Sequence, residues 1–176
     1  LRVGIISSDG TFKRNLNIPR LVKVNGEKRF ILAYKEETKF QKYDVYITQN
    51  DIREIQKAKA AIQATYFLLM KKLGITEFDL NTIYLAGAFG LYMNPKNAQI
   101  IGLLPEVPID KITFIGNSAG SGARLVLKNK SFKQVAQEIA YKIKHIEIAA
   151  DEEFQQEWIK ALYMPYKDIS RYPNVE

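Results

Sequence analysis

An α/β layer fold is what this sequence predicts, and three observations carry the prediction. From residue 48 onward, stretches of helical periodicity alternate with short apolar runs in the order helix, strand, helix, strand, helix, helix, strand, helix. Two of those runs, Ile83-Tyr84-Leu85-Ala86 and Lys111-Ile112-Thr113-Phe114-Ile115, stop at glycine-rich turns, Gly87-Ala88-Phe89-Gly90 and Gly116-Asn117-Ser118-Ala119-Gly120-Ser121-Gly122-Ala123. Brief β-forming runs bounded by glycine read as strands buried on both faces, as in a parallel sheet. Finally, 176 residues with 47% apolar and 26% charged side chains can bury a substantial core in one domain or a compact two-lobed one.

In chain order, residues 1–47 are β-rich. Asn25-Gly26 lies between Leu21-Val22-Lys23-Val24 and Arg29-Phe30-Ile31-Leu32-Ala33-Tyr34, which predicts a hairpin, and residues 44–48 alternate like a third strand. Residues 48–163 form the α/β part. Thr48 is placed to cap a helix with Asp51 in its first turn, Ile52, Ile55, Ile62, Tyr66, Leu69 and Leu73 recur at helical spacing, and Gly74 supplies the stop. Arg53, Lys57 and Lys59 fall on or near the polar side and read as a solvated face; the functional alternative is that one of them flanks a nucleotide base.

After the first glycine turn, Asn94-Pro95 fits an N-cap followed by proline at the first helical position, so residues 95–101 form a short helix. The second strand leads into a helix over about 119–127. Ser131 is read as the cap of another, with Phe132, Val135, Ile139 and Ile143 on its apolar face. Residues 145–149 read as an edge strand, Asp151 opens a last helix, and residues 164–176 are expected to run over the surface as a tail.

Composition removes several kinds of chemistry. Without cysteine there is neither a disulfide nor a Cys-ligated metal within these residues, and a cytoplasmic setting fits. The one histidine, His145, sits beside an apolar run and reads as structural, and no G-x-S-x-G elbow accompanies it. No P-loop, calcium loop or dinucleotide fingerprint is present, and no metal site is expected. Asp44, Asp51, Glu54, Asp79 and Asp110 could each serve as acidic helpers and read equally well as caps and turn residues. No run spans a bilayer. The net charge of +7 could suit nucleic acid or an acidic protein partner, but it comes from scattered basic residues, mostly lysines interleaved with glutamates, which favours a solvated surface over an electrostatic binding patch. The two glycine turns survive. Side by side at the carboxyl ends of parallel strands, they would form the crevice in which open sheets bind anionic ligands.

Those same residues resemble a known family. Ile47-Thr48-Gln49-Asn50-Asp51-Ile52-Arg53-Glu54-Ile55-Gln56 with Ala58-Lys59-Ala60-Ala61-Ile62, then Ile83-Tyr84-Leu85-Ala86-Gly87-Ala88-Phe89-Gly90, Ile101-Gly102-Leu103-Leu104-Pro105, and Phe114-Ile115-Gly116-Asn117-Ser118-Ala119 with Gly122-Ala123-Arg124 are similar, in order and spacing, to the carboxy-terminal region of the ATP-dependent reductive activators of corrinoid proteins. The resemblance implies half of an actin-like, ribonuclease H-like ATPase (ASKHA) fold, a mixed sheet flanked by helices with a small β-rich segment at the amino end. It implies a nucleotide pocket lined by Gly87, Ala88, Phe89 and Gly90 with Gly116, Asn117 and Ser118, the glycines acting by backbone shape and the two polar side chains by hydrogen bonds. The implied activity returns a Co(II) corrinoid partner to Co(I) in methyl transfer. ATP with Mg2+ drives the step, and a [2Fe–2S] ferredoxin-like domain supplies the electron; catalytic residues are not assigned here.

This sequence departs from the pattern in informative ways. It begins at Leu1 and contains no cysteine, so a piece of a longer protein is expected, with the cluster domain outside it and ATPase activity only in the parent. Ala88 stands where a second glycine is usual, and Gly120 and Ser121 replace larger small-apolar residues. A homodimer is compatible with the resemblance. The alternative function is a dimerisation or partner-docking module with a vestigial pocket; an acyl or sugar kinase is disfavoured because no acidic residue sits in a motif suited to deprotonating a substrate.

Overall fold

A computed structural model describes residues 1–13, 16–148 and 150–175, with the side chains of Phe89 and Leu91 outside the description. Among the described residues, two sheets and six α-helices follow the chain. Strands β1 (Leu21–Val24), β2 (Glu27–Ala33) and β3 (Val45–Thr48) form an antiparallel sheet in that order. The hairpin register pairs Val24 with Glu27, and both residues between them have positive φ, Asn25 at 50° and Gly26 at 86°, the tight turn that Asn-Gly favours.

Helix α1 (Gln49–Leu73) starts at a reciprocal cap: the Thr48 hydroxyl accepts from the Asp51 amide, and the Asp51 carboxylate accepts from the Thr48 amide at 2.8 Å. It stops at Gly74, whose left-handed backbone (φ 67°) has no Cβ to oppose it. A single helical turn at Glu77–Asp79 leads to β4 (Ile83–Ala86), and β4 pairs in parallel with β5 (Ile112–Gly116). Between them lie α2 (Ala88–Leu91) and α3 (Pro95–Ile100), the latter capped by Asn94, whose side chain accepts from the Asn97 amide. Helices α4 (Ser118–Lys128), α5 (Ser131–Lys142) and α6 (Glu152–Ala161) complete the chain, and α6 packs along α1.

Three apolar clusters divide the interior. Phe12, Ile52 and Met164 join the antiparallel sheet to α1. Ala60, Ala161, Tyr166 and Tyr172 fill the space between α1, α6 and the last residues, while Ala98, Leu103, Leu104, Val107 and Ile112 lie under β4 and β5. The helices with these sheets agree with the expected α/β fold class, although the antiparallel and parallel strands form two separate sheets and not one mixed sheet.

Several expectations need correction. Tyr84 is 64% exposed and Phe114 and Ile115 are exposed as well, so β4 and β5 are not covered on both faces. Residues 145–148 form no strand, and Ala149 lies outside the described residues. Ser131 is the first residue of α5 and not its cap; Asn129 Oδ1 accepts from its amide at 3.0 Å and from its hydroxyl. The face Phe132, Val135, Ile139 and Ile143 is exposed. Residues 164–175 are not a surface tail, because Met164, Tyr166 and Tyr172 are core residues.

Helix α1 is turned differently from its apolar periodicity. Ile55, Ile62 and Leu73 face outward, whereas Gln56, Lys59 and Gln63 are buried beside Ile52, Ala60 and Ala64. Lys57 is solvated as expected and pairs with Glu54 at 2.8 Å. Arg53 donates to the Asp9 carbonyl at 2.6 Å. Lys59, expected on a solvated face, is 1% exposed.

Candidate functional site

The two glycine turns meet at the carboxyl ends of neighbouring parallel strands. In register, Leu85 pairs with Phe114 and Ala86 with Gly116, the extra residue Ile115 being taken up as a bulge where the strands end. The Gly87 amide donates to the Gly116 carbonyl at 2.7 Å, so one backbone hydrogen bond ties the first turn to the second. Both glycines need their freedom. Gly87 has φ 85° and ψ 175°, a region closed to residues with a Cβ, and Gly116 has φ 61°. An added Cβ at either would meet nothing within 4 Å, so the constraint is backbone conformation and the space beside both α-carbons is open.

Gly90 serves another purpose. A Cβ there would come within 3.3 Å of Leu85 Cβ and Phe114 Cδ1, so its bareness lets α2 lie close on the two strands. Ala88 begins α2 and is exposed; Phe89 has its backbone in α2 and its side chain outside the description. Asn117 caps α4, with Oδ1 accepting from the Gly120 amide at 2.9 Å. The cap therefore uses that oxygen. The cap also accounts for Gly120: a Cβ at this position would approach Asn117 Nδ2 to 2.8 Å. Ser118, the first residue of α4, is exposed. The seven predicted positions therefore lie on two adjacent turns, five of them with described exposed or half-exposed surface and Gly90 beneath.

The cleft of about 330 Å³ between α1 and α6 is lined by Lys71, Glu153, Glu157 and Arg171. These charges answer one another, Lys71 to Glu153 at 3.0 Å and Arg171 to Glu157 at 2.8 Å. Among the described residues no group of three or more His, Cys, Asp or Glu is placed to hold a metal ion. No described helix is long and apolar enough to cross a membrane.

A parallel strand pair whose ends carry two linked glycine turns, with a helix opening from each, is an α/β arrangement consistent with the actin-like, ASKHA-type fold that the resemblance implies. The chain belongs to the family described as the C-terminal domain of RACo, the ASKHA domain, which it matches over residues 1–176. It is 43% identical over 116 residues to the corrinoid activation enzyme RamQ of Eubacterium limosum, covering 66% of this chain and 20% of that protein. Over 112 residues it is 35% identical to the Co(II) methylated amine-specific corrinoid protein reductase of Methanosarcina barkeri, covering 62% of this chain and 21% of the relative. A solved structure of a reductive activator for corrinoid, iron-sulfur protein superposes with a TM-score of 0.91 at 32% identity, covering 99% of this chain and 28% of that one. The chain thus spans about a fifth of the length of the two curated relatives.

Sequence reasoning located the turns but missed that the Asn117 oxygen is spent on a helix cap. The signal was present: Asn-Ser-Ala-Gly before a helical run is an N-cap pattern, with glycine where the cap needs room.

Proposed function

We propose that this chain is the carboxy-terminal part of a cytoplasmic, ATP-dependent activator that returns a corrinoid protein from Co(II) to Co(I), with the nucleotide settling against Gly87, Ala88, Phe89, Gly90, Gly116, Asn117 and Ser118. The observation that carries this reading is the 2.7 Å hydrogen bond from Gly87 to Gly116, which joins two turns whose α-carbons face open space. The names of the relatives supply the substrate class.

The donor set here suits a nucleotide and not an iron–sulfur cluster. Backbone amides, the Asn117 amide nitrogen and the Ser118 hydroxyl are hydrogen-bonding groups for ribose and phosphate oxygens. With no cysteine, none of these residues ligates a cluster, so the [2Fe–2S] centre belongs to another part of the parent. When bound, ATP with Mg2+ supplies by its hydrolysis the driving force for an uphill electron transfer. What this chain contributes is a rigid seat: Gly87 and Gly116 set the path of the backbone, and the Asn117 cap fixes where α4 begins. Hydrolysis itself is a property of the parent protein.

Calorimetric titration of ATP and ADP into the full-length protein and into its Gly87→Val variant tests this. The expected result is binding by the parent and at least a tenfold weaker Kd in the variant, because a β-branched residue cannot hold φ 85° and ψ 175°. Equal binding by both removes the pocket assignment. The exposed Phe132, Val135, Ile139 and Ile143 face favours the second reading, a dimerisation or docking module. A parent that binds no nucleotide yet dimerises through this face in sedimentation would establish that reading instead.

A further inference from the structure

Helices α4 and α5 pack chiefly on each other. Every residue from 131 to 147 is exposed. Along α5 the apolar residues Phe132, Val135 and Ile139, with Ile143 just after its end, recur every three or four positions and make one stripe. On α4, Leu127 is 85% exposed and Leu125 50%.

The charge around these apolar residues is one-sided. Between residues 118 and 147 six side chains are basic, Arg124, Lys128, Lys130, Lys133, Lys142 and Lys144, against two acidic ones, Glu138 and Glu147. These 30 residues thus carry +4 of the whole chain's +7. All six cations are exposed, and among the described residues none is in an ion pair. Cations elsewhere find partners: Arg20, Arg29, Lys57, Lys71, Lys72 and Arg171 each reach a carboxylate within 3.0 Å.

We infer that the α4–α5 pair is the dock for an acidic protein surface, one with an apolar centre and a rim of carboxylates. Resting on the function proposed above, this is the surface of the protein that the activator reduces.

Charge and mode of arrival select that occupant. A second copy fits poorly, because a two-fold interface sets a patch against itself and would here oppose +4 to +4. A domain tethered in the same chain needs no steering. Unpaired lysines around an apolar stripe instead raise the encounter rate of an acidic molecule that arrives by diffusion and leaves again. Nucleic acid would meet the lysines and leave the apolar stripe unused. Phe132, Val135 and Ile139 supply the desolvated centre that a protein interface requires, and Lys133 and Lys142 of the same helix supply a polar rim.

Position gives the dock its use. Helix α4 opens at the Asn117 cap, next to Gly116, and runs 11 residues to Lys128, about 16 Å at the helical rise. One helix therefore joins the candidate nucleotide turn to the dock.

Lysine acetylation of the full-length protein by a succinimidyl ester, read by mass spectrometry, and steady-state reduction of Co(II) corrinoid protein test this together. Lys130, Lys133, Lys142 and Lys144 should label readily in the full-length protein alone and be protected once corrinoid protein is added. Lys133→Glu with Lys142→Glu should raise the KM for corrinoid protein about tenfold and flatten the rise of KM with salt seen in the wild type, leaving kcat and the Kd for ATP unchanged. Ile139→Gln should raise KM and keep the salt slope. Lys133→Gln with Lys142→Gln serves if the charge reversal does not fold.

Lysines that resist labelling in the full-length protein alone overturn the dock, because another domain then covers them. Protection that grows with the protein's own concentration assigns the face to a second copy, and protection by phosphatidylserine vesicles but not by corrinoid protein assigns it to a membrane; either removes the inference. So does a KM indifferent to salt and to the substitutions. Failure of the function proposed above reads differently: corrinoid protein then protects the lysines without being reduced, and the dock stands.

Discussion

The half of the molecule built on α1, α6 and the last residues and the half built on β4, β5, α4 and α5 reverse the usual placement of side chains. In the first, Gln56, Lys59 and Gln63 are inside, with Gln63 fully covered. In the second, Phe132, Val135, Ile139 and Ile143 are outside, Ile143 at 69% exposure. The first half closes on itself because the polar seam of α1, Gln56, Lys59 and Gln63, finds partners in the strap formed by residues 162–172 and in the amino-terminal turn at Asp9. The second half shows a two-stranded parallel sheet, an arrangement that ordinarily has both faces covered. The contrast teaches that polarity reports whether a position has partners, and that this chain carries its own partners on one side only.

The sharpest way to break the comparison is to place the same substitution at a positive-φ glycine in each half. Gly102 has φ 77°, and a methyl there would overlap the Pro165 carbonyl oxygen and press Gln63 Nε2 at 2.9 Å. Because Pro165 is held by Lys59 and cannot retreat, Gly102→Ala should cost at least about 3 kcal/mol. Gly116 has φ 61° with open space around it, so Gly116→Ala should cost only the conformational penalty, about 1 kcal/mol. Urea denaturation of the chain, followed by fluorescence of its sole tryptophan, Trp158, packed in the closed half, measures both. Equal losses would mean that the strap yields as readily as the open turns.

Two smaller changes probe the closed half. Tyr172→Phe removes the hydroxyl shared by Gln63, Tyr66 and Leu104 and leaves the Gln63 amide short of an acceptor, so a loss of about 1–3 kcal/mol is expected in the same measurement. Thr48→Ala removes half of the reciprocal cap of α1 and should cost about 1 kcal/mol. A Tyr172→Phe loss no larger than that of Thr48→Ala would show that the seam contributes no more than a helix end.

Local signals in the sequence were sufficient wherever local chemistry decides. Asn25-Gly26 prescribes its turn, Thr48 with Asp51 and Gly74 mark both ends of α1, Asn94-Pro95 opens α3, and the glycine turns follow the strands they were assigned to. What was not legible depends on which side of an element meets another. Periodicity put Ile55, Ile62 and Leu73 on one face of α1 but says nothing of what covers that face; the strap and α6 lie on the other. Lys59 looked solvated because a lone lysine is normally so, and its three acceptors come from one residue four positions along and two more than a hundred positions away. The carboxyl-terminal residues were read as surface because neither periodicity nor spacing anticipates Tyr172 reaching the Gln63 amide and the Tyr66 hydroxyl of α1. At the candidate site the turns were visible and the commitment of Asn117 to its cap was not weighed.

The smallest expected effect is also the most informative about the open half. Ile139 lies on the exposed side of α5 with 53% of its surface in water, so exchanging it for lysine removes apolar surface that is largely solvated already. Lysine is also a slightly better helix former than isoleucine. Ile139→Lys should therefore change the urea stability of the 176-residue chain by less than about 0.5 kcal/mol, the ordinary range for an exposed site. A loss approaching that of Gly102→Ala would mean that α5 is packed in solution against something the chain itself supplies. The two halves would then differ in composition but not in closure, and the exposed α5 face could no longer be offered as a surface for other molecules.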